Sequence, residues 1–72
     1  MLTQVELIST NHEVQVYWLD YSSYDNVNIR PGRRVKIAEA DPFWYINRVF
    51  TTLKSISDLP TRARVGTVIE LN

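Results

Sequence analysis

The residues best suited to chemistry lie in the middle of the chain. Arg30, Arg33, Arg34 and Lys36 form a basic run a few positions before Phe43, Trp44 and Tyr45. Cations interleaved with aromatic rings suit two kinds of work. They can track phosphates while the rings stack on bases. They can also anchor a protein interface, where arginine and aromatic side chains carry most of the binding energy. Tyr21 and Tyr24, in a polar stretch upstream, extend the second set. Two candidate sites follow. One is a protein-binding surface of Tyr21, Tyr24, Arg30, Arg33, Phe43, Trp44 and Tyr45. The alternative is a nucleic-acid-binding run of Arg30, Arg33, Arg34 and Lys36. The formal net charge is zero, and phosphate affinity depends on the number of phosphates neutralised. That balance favours the protein partner.

Other chemistry finds little support. His12 is the sole histidine and falls in a polar turn, whereas a general base must be held within hydrogen-bond reach of a partner. A solvated side chain is expected there. Asp20, Asp25, Glu39 and Asp41 fall near strand ends, but paired carboxylates work only inside a cleft. Their spacing is not that of a calcium loop. The chain has no cysteine and only two glycines, Gly32 and Gly66, so it offers no thiolate site, no disulfide and no phosphate-cradling loop. The expectation is a protein that is not an enzyme and holds neither cofactor nor metal.

These residues need elements to position them. Pro31-Gly32 is a turn signal, because proline presets φ near −65° and glycine accepts the positive φ of a type II turn. Val35 and Ile37 then alternate with Arg34, Lys36 and Ala38, the pattern of a half-buried strand. Glu39-Ala40-Asp41-Pro42 reads as the reversal. Phe43 to Phe50 is rich in strand formers, but strict alternation from Trp44 and Ile46 would bury Arg48. Either a bulge near Asn47 turns Arg48 outward or the first half of the strand is buried on both faces; we take the bulge. Upstream, Val5 and Leu7 alternate, Thr10 to Glu13 forms a polar turn, and Val14, Val16 and Trp18 share a face. This is a hairpin pattern. Asp20 to Arg30 reads as a loop over a barrel mouth, with Tyr21, Tyr24, Val27 and Ile29 packing it down. Leu53, Ile56 and Leu59 suit a helical or 3₁₀ turn closed by Pro60, with an ordered loop or short strand as other readings. Gly66, inside the last strand, marks a bulge or a close backbone approach.

Strands are therefore expected near 2–9, 13–19, 33–38, 43–51 and 65–71. The predicted core is Val5, Leu7, Val14, Val16, Val35, Ile37, Ile46 and Val49. Trp18 is predicted in the core, while Trp44 is either core or interface anchor. Tyr17, Tyr21, Tyr24, Phe43 and Tyr45 are surface candidates. Five short strands with regular turn signals predict an all-β barrel, one domain over residues 1–72. A domain of this size holds only about 5 kcal/mol of stability or less. Residues 1–29 carry a charge of −4 and residues 30–72 a charge of +4, which pairs acid with base once the strands interleave. The start lacks the pattern of a signal peptide and no apolar run is long enough for a membrane span, so a soluble, cytoplasmic protein without a membrane partner is expected. The first strand has only Glu6 to blunt its edge. A homo-oligomer sealed along that strand, or over the aromatic loop, is therefore expected.

The Pro-Gly turn followed by Arg34-Val35-Lys36-Ile37, a short break and an aromatic-headed strand resembles the SH3-like barrels across about Asn28 to Val49. A longer pattern resembles small uncharacterised proteins encoded in bacteriophage genomes. It comprises Val16-Tyr17-Trp18-Leu19-Asp20, Pro31-Gly32 with Val35, Trp44 with Ile46, Val49 and Phe50, then Leu59-Pro60 and Val65-Gly66. Ile29-Arg30-Pro31-Gly32 stands where that group tends to have Val-Gly. This resemblance implies a viral source and work as a virion component or as an inhibitor of host machinery. Trp18-Leu19-Asp20-Tyr21 is similar to the Asp-Tyr-Gly-Asn corner of Tudor domains, but Ser22-Ser23 replaces Gly-Asn, which argues against an aromatic cage for methylated ligands.

Overall fold

Alternation, turn chemistry and one glycine build a closed barrel. The computed structural model describes the chain apart from Lys54 and Ser55, and describes Asp41 and Pro42 without their side chains. Its strands are β1 (Leu2–Ser9), β2 (Val14–Asp20), β3 (Arg34–Ile37), β4 (Ala40–Leu53) and β5 (Val65–Leu71). Short 3₁₀ turns span Ser23–Asn28 and Ile56–Asp58. The ring order is β1-β2-β5-β3-β4, and β4 returns to β1. The five-stranded all-β barrel expected from the sequence is the fold found. A meander would place β3 beside β2; here β5 takes that position and runs parallel to β2 over three residues.

Each turn has a local cause. In the first hairpin the Ser9 hydroxyl accepts the Asn11 and Glu13 N–H groups at 3.2 and 3.0 Å. His12 then takes a φ of 65°, the left-handed conformation that histidine visits more readily than most residues. It is exposed, as expected. Gly32 has a φ of 90°, and the Arg33 N–H donates to the Arg30 carbonyl at 3.3 Å, which is the geometry foreseen at Pro31-Gly32. The Gly32 N–H also reaches the Ile46 carbonyl at 2.8 Å, tying the turn to β4.

The next reversal lies earlier than the expected 39–42. Ile37 already pairs with Ala40, so Ala38 and Glu39 make the turn. Strand β5 fixes it there. The Ala38 N–H donates to the Thr67 carbonyl at 2.9 Å. The Glu39 carboxylate accepts the Thr67 N–H at 2.7 Å and its hydroxyl at 2.9 Å. The expected turn after Leu53 is present as the 3₁₀ segment Ile56–Asp58, while its positions Lys54 and Ser55 lie outside the described residues.

The Asn47 bulge is real. Glu6 faces Arg48 and Leu7 faces Ile46, which leaves Asn47 as the extra residue. Arg48 is thereby exposed, and its guanidinium lies 5.1 Å from the centre of the Phe50 ring.

Val5, Leu7, Val35, Ile37 and Ile46 fill the barrel as predicted, joined by Tyr17, Leu19, Tyr21, Ile29 and Trp44. Three predicted core positions are not core: Val14, Val16 and Val49 are 54 %, 44 % and 38 % exposed. Cross-strand partners share a face, and β1 places Val5 opposite Tyr17 and Leu7 opposite Gln15. The inward face of β2 is therefore the one carrying Tyr17 and Leu19. Val49 lies between two irregularities of β4, where a bulged strand bends. Tyr17 and Tyr21, surface candidates in the sequence, are buried. Trp18 is buried as predicted, but on the outer face. Tyr24 and Val27, expected to pack the loop down, are exposed.

Closure leaves the first strand without the free edge that the sequence suggested. Strand β1 pairs with β2 on one side and β4 on the other, so it has no edge to seal.

Gly66 makes the closure possible. A Cβ there would lie 2.9 Å from Ile37 Cδ1 and 3.2 Å from Tyr17 Cδ2. Gly66→Ala should therefore cost about 1–3 kcal/mol through overpacking. A lower denaturant midpoint with an unchanged slope is the expected reading, and an unchanged midpoint contradicts the close approach.

Candidate binding face

Alternation along β3 and β4 divides the central stretch. Val35, Ile37, Trp44 and Ile46 point inward and are buried, while Arg34, Lys36, Phe43 and Tyr45 lie on the outer face. Tyr45 is 41 % exposed and pairs across the ladder with Arg34. The Arg34 guanidinium lies 4.4 Å from the centre of the Phe43 ring, and the Lys36 ammonium lies 5.6 Å from it. Each such contact contributes about 0.5–1 kcal/mol at an exposed site. It also keeps two cations beside an apolar ring.

The register extends this face. Ile8 pairs with Tyr45 on one side and with Val14 on the other. Val14, Ile8, Tyr45 and Arg34 thus form one outward row across four strands. Val16 stands one outward position further along β2. Ile8, Val14 and Val16 were not among the sequence candidates. No local signal finds them, because the register is set by where the hairpin closes. With Val5 and Leu7 inward, the closure between Ser9 and Glu13 sends Val14 and Val16 outward.

Three sequence candidates leave the face. Trp44 is 5 % exposed and packs against Tyr17, with ring centres 6.3 Å apart. It belongs to the buried cluster that fills the barrel, and its indole N–H has no partner among the described residues. Tyr21 closes one end of the barrel: its hydroxyl lies 2.7 Å from the Thr3 hydroxyl. The Met1 amino group donates to its carbonyl at 3.0 Å. Tyr24 is 88 % exposed but belongs to the 3₁₀ segment Ser23–Asn28. Arg30 is exposed on the Pro31-Gly32 turn, and half-buried Arg33 accepts the Ile46 N–H on its carbonyl at 2.9 Å. The structure therefore brings together Arg34, Lys36, Phe43 and Tyr45, with Arg30 and Arg33 on the adjoining Pro31-Gly32 turn.

Of the four loop carboxylates considered from sequence, Glu39 has its role in the β3–β4 turn, and the Asp41 side chain lies outside the described residues. No group of three His, Asp or Glu side chains among the described residues could hold a metal ion. No helix among them is long and apolar enough to cross a membrane. No protein-family model matches the chain, and neither curated proteins nor solved structures show a detectable match.

Glu39 has a titration that reports on the hairpin. Its carboxyl lies below the ordinary 4.5, chiefly because the Thr67 N–H and then the Thr67 hydroxyl bond to the charged form. A depressed folded value means that the stabilisation is present above 4.5 and is lost as the pH falls through the folded value. Glu39→Gln should lower the thermal midpoint near neutrality, and its difference from the native chain should shrink on acidification. A difference that stays constant across the acid range contradicts this role.

Proposed function

We propose that this protein is a non-enzymatic binding barrel whose outer β3–β4 face docks a protein partner. The observation that carries the reading is the continuous outward row of Val14, Ile8, Tyr45 and Arg34, with Phe43 held beneath Arg34 and Lys36. Apolar side chains meet tyrosine and arginine there, the residue types that dominate interface energetics. The SH3-like resemblance centres on this same hairpin and its Pro31-Gly32 turn. The resemblance to phage-encoded proteins suggests a virion neighbour or a piece of host machinery as the partner, with self-association over this face as a further form of the reading.

The nucleic-acid alternative draws on the same cations. Its weakness is geometric: Arg34 and Lys36 both crowd Phe43, which limits that ring as a stacking platform. The two readings separate in a pull-down from host lysate, with and without nuclease, using the native chain and a Tyr45→Ala, Arg34→Ala variant. Both substitutions lie on the outer face, so the variant should stay folded by circular dichroism. Nuclease-resistant capture that falls at least about tenfold in the variant is the expected result, since a hot-spot residue contributes about 2 kcal/mol or more. Capture abolished by nuclease overturns the protein reading. Duplex affinity with a log–log salt slope of about −3.6, from four phosphate contacts at Arg30, Arg33, Arg34 and Lys36, would then be the signature. Capture indifferent to the variant overturns the assignment to this face.

A further inference from the structure

The parallel contact between β2 and β5 begins only at Trp18, opposite Val65. Strand β2, however, starts at Val14. Which backbone groups are left over follows from the hydrogen-bond phase. Ser9 and Glu13 bond across the first hairpin, and Trp18 donates its N–H to the Arg64 carbonyl at 2.7 Å, away from β1. In an antiparallel ladder alternate residues face the partner. Gln15 and Tyr17 therefore turn their backbone groups to β1, while Val14 and Val16 turn theirs the other way. No strand lies opposite Val14 and Val16 on that side among the described residues. The barrel is closed at one end of β2 and open at the other.

A groove of about 690 Å³ runs along this opening. Val14, Val16 and Trp18 form one wall, and Arg62, Ala63 and Arg64 form the other. Both walls are suited to an extended chain. Val14 and Val16 offer exposed apolar side chains between the free backbone groups. The groove-lining residues include two arginines and no carboxylate. The Arg64 guanidinium rests 5.5 Å from the centre of the Tyr17 ring, which holds it at the rim. The nearby Glu13 carboxylate is already bonded to the Gln15 amide, while the Gln15 side-chain oxygen is buried with no partner among the described residues.

We infer that Val14 to Tyr17 is a docking edge for an extended peptide segment of a partner protein, one in which apolar residues alternate with carboxylates. The segment adds a strand beside β2, bonds the Val14 and Val16 backbone groups, and places its acidic side chains near Arg62 and Arg64. Main-chain bonds supply affinity in this mode, and alternate side chains supply selectivity. The edge shares Val14 and Val16 with the apolar end of the outer face, but it is argued from the unpaired backbone of β2 and from Arg62 and Arg64, none of which the reading of the β3–β4 face uses.

The probe is a capped octapeptide alternating valine and glutamate, titrated into ¹⁵N-labelled full-length chain. Controls are the valine–lysine peptide and the valine–glutamate peptide N-methylated at alternate residues. The expected result is saturable shifts centred on the Val14, Val16, Trp18 and Arg64 amides. N-methylation should abolish them, and the lysine peptide or Arg62→Glu should weaken them at least tenfold. Val16→Pro removes only the groove-facing N–H and should abolish binding with the fold retained, since proline is tolerated on edge strands. Should that variant unfold, the N-methylated peptide still decides. Shifts outside this edge, binding unaffected by N-methylation, or no shifts at millimolar peptide would overturn the inference. Concentration-dependent shifts of Val14 and Val16 without peptide would overturn it in favour of a second copy of this chain.

Discussion

The rest of the barrel depends on one short contact, the parallel pairing of Trp18, Leu19 and Asp20 with Val65, Gly66 and Thr67. It inserts β5 between β2 and β3, which lets β4 close back on β1. The contact forms because Gly66 has no side chain where Ile37 and Tyr17 pack. Thr67, the third residue of this contact, also receives the β3–β4 turn through Ala38 and Glu39. One three-residue segment thus closes the ring and sets where the central hairpin turns. A domain this small has little stability beyond what closure provides.

Closure sorts the aromatics. Tyr17, Trp18, Tyr21 and Trp44 are buried, whereas Tyr24, Phe43, Tyr45 and Phe50 are half-buried or exposed. Phe43 and Phe50 lie beneath cationic side chains. Arginine and lysine bury their stems on apolar surface while keeping their charge in water. A chain with no net charge can therefore carry an apolar outer face without leaving its rings bare. That combination, with Ile8 and Val14 continuing the row, is the basis for reading the face as a binding surface.

Much of this was legible in the sequence. Five strands, the Pro31-Gly32 turn, the Asn47 bulge, the solvated His12 and the close approach at Gly66 each follow from a local rule. The phase of β2 did not, because VQVYWLD is apolar on both faces and its periodicity admits either. Only pairing with β1 decides it, and that decision moved Val14 and Val16 from core to surface. The reversal at Ala38 and Glu39 was equally hidden, since the residue that fixes it, Thr67, is distant in sequence. Trp44 and Tyr21 were ambiguous for a different reason: aromatic residues serve cores and interfaces alike.

Amide hydrogen exchange along β2 tests the closure most directly. The account predicts alternation in the first half of the strand: slow exchange at Gln15 and Tyr17, bonded to β1, and fast exchange at Val14 and Val16. Protection should then become strong at Trp18, where the bond to Arg64 begins. Protection of Val16 as strong as that of Trp18, or fast exchange at Trp18, would contradict a barrel closed by β5 at this point.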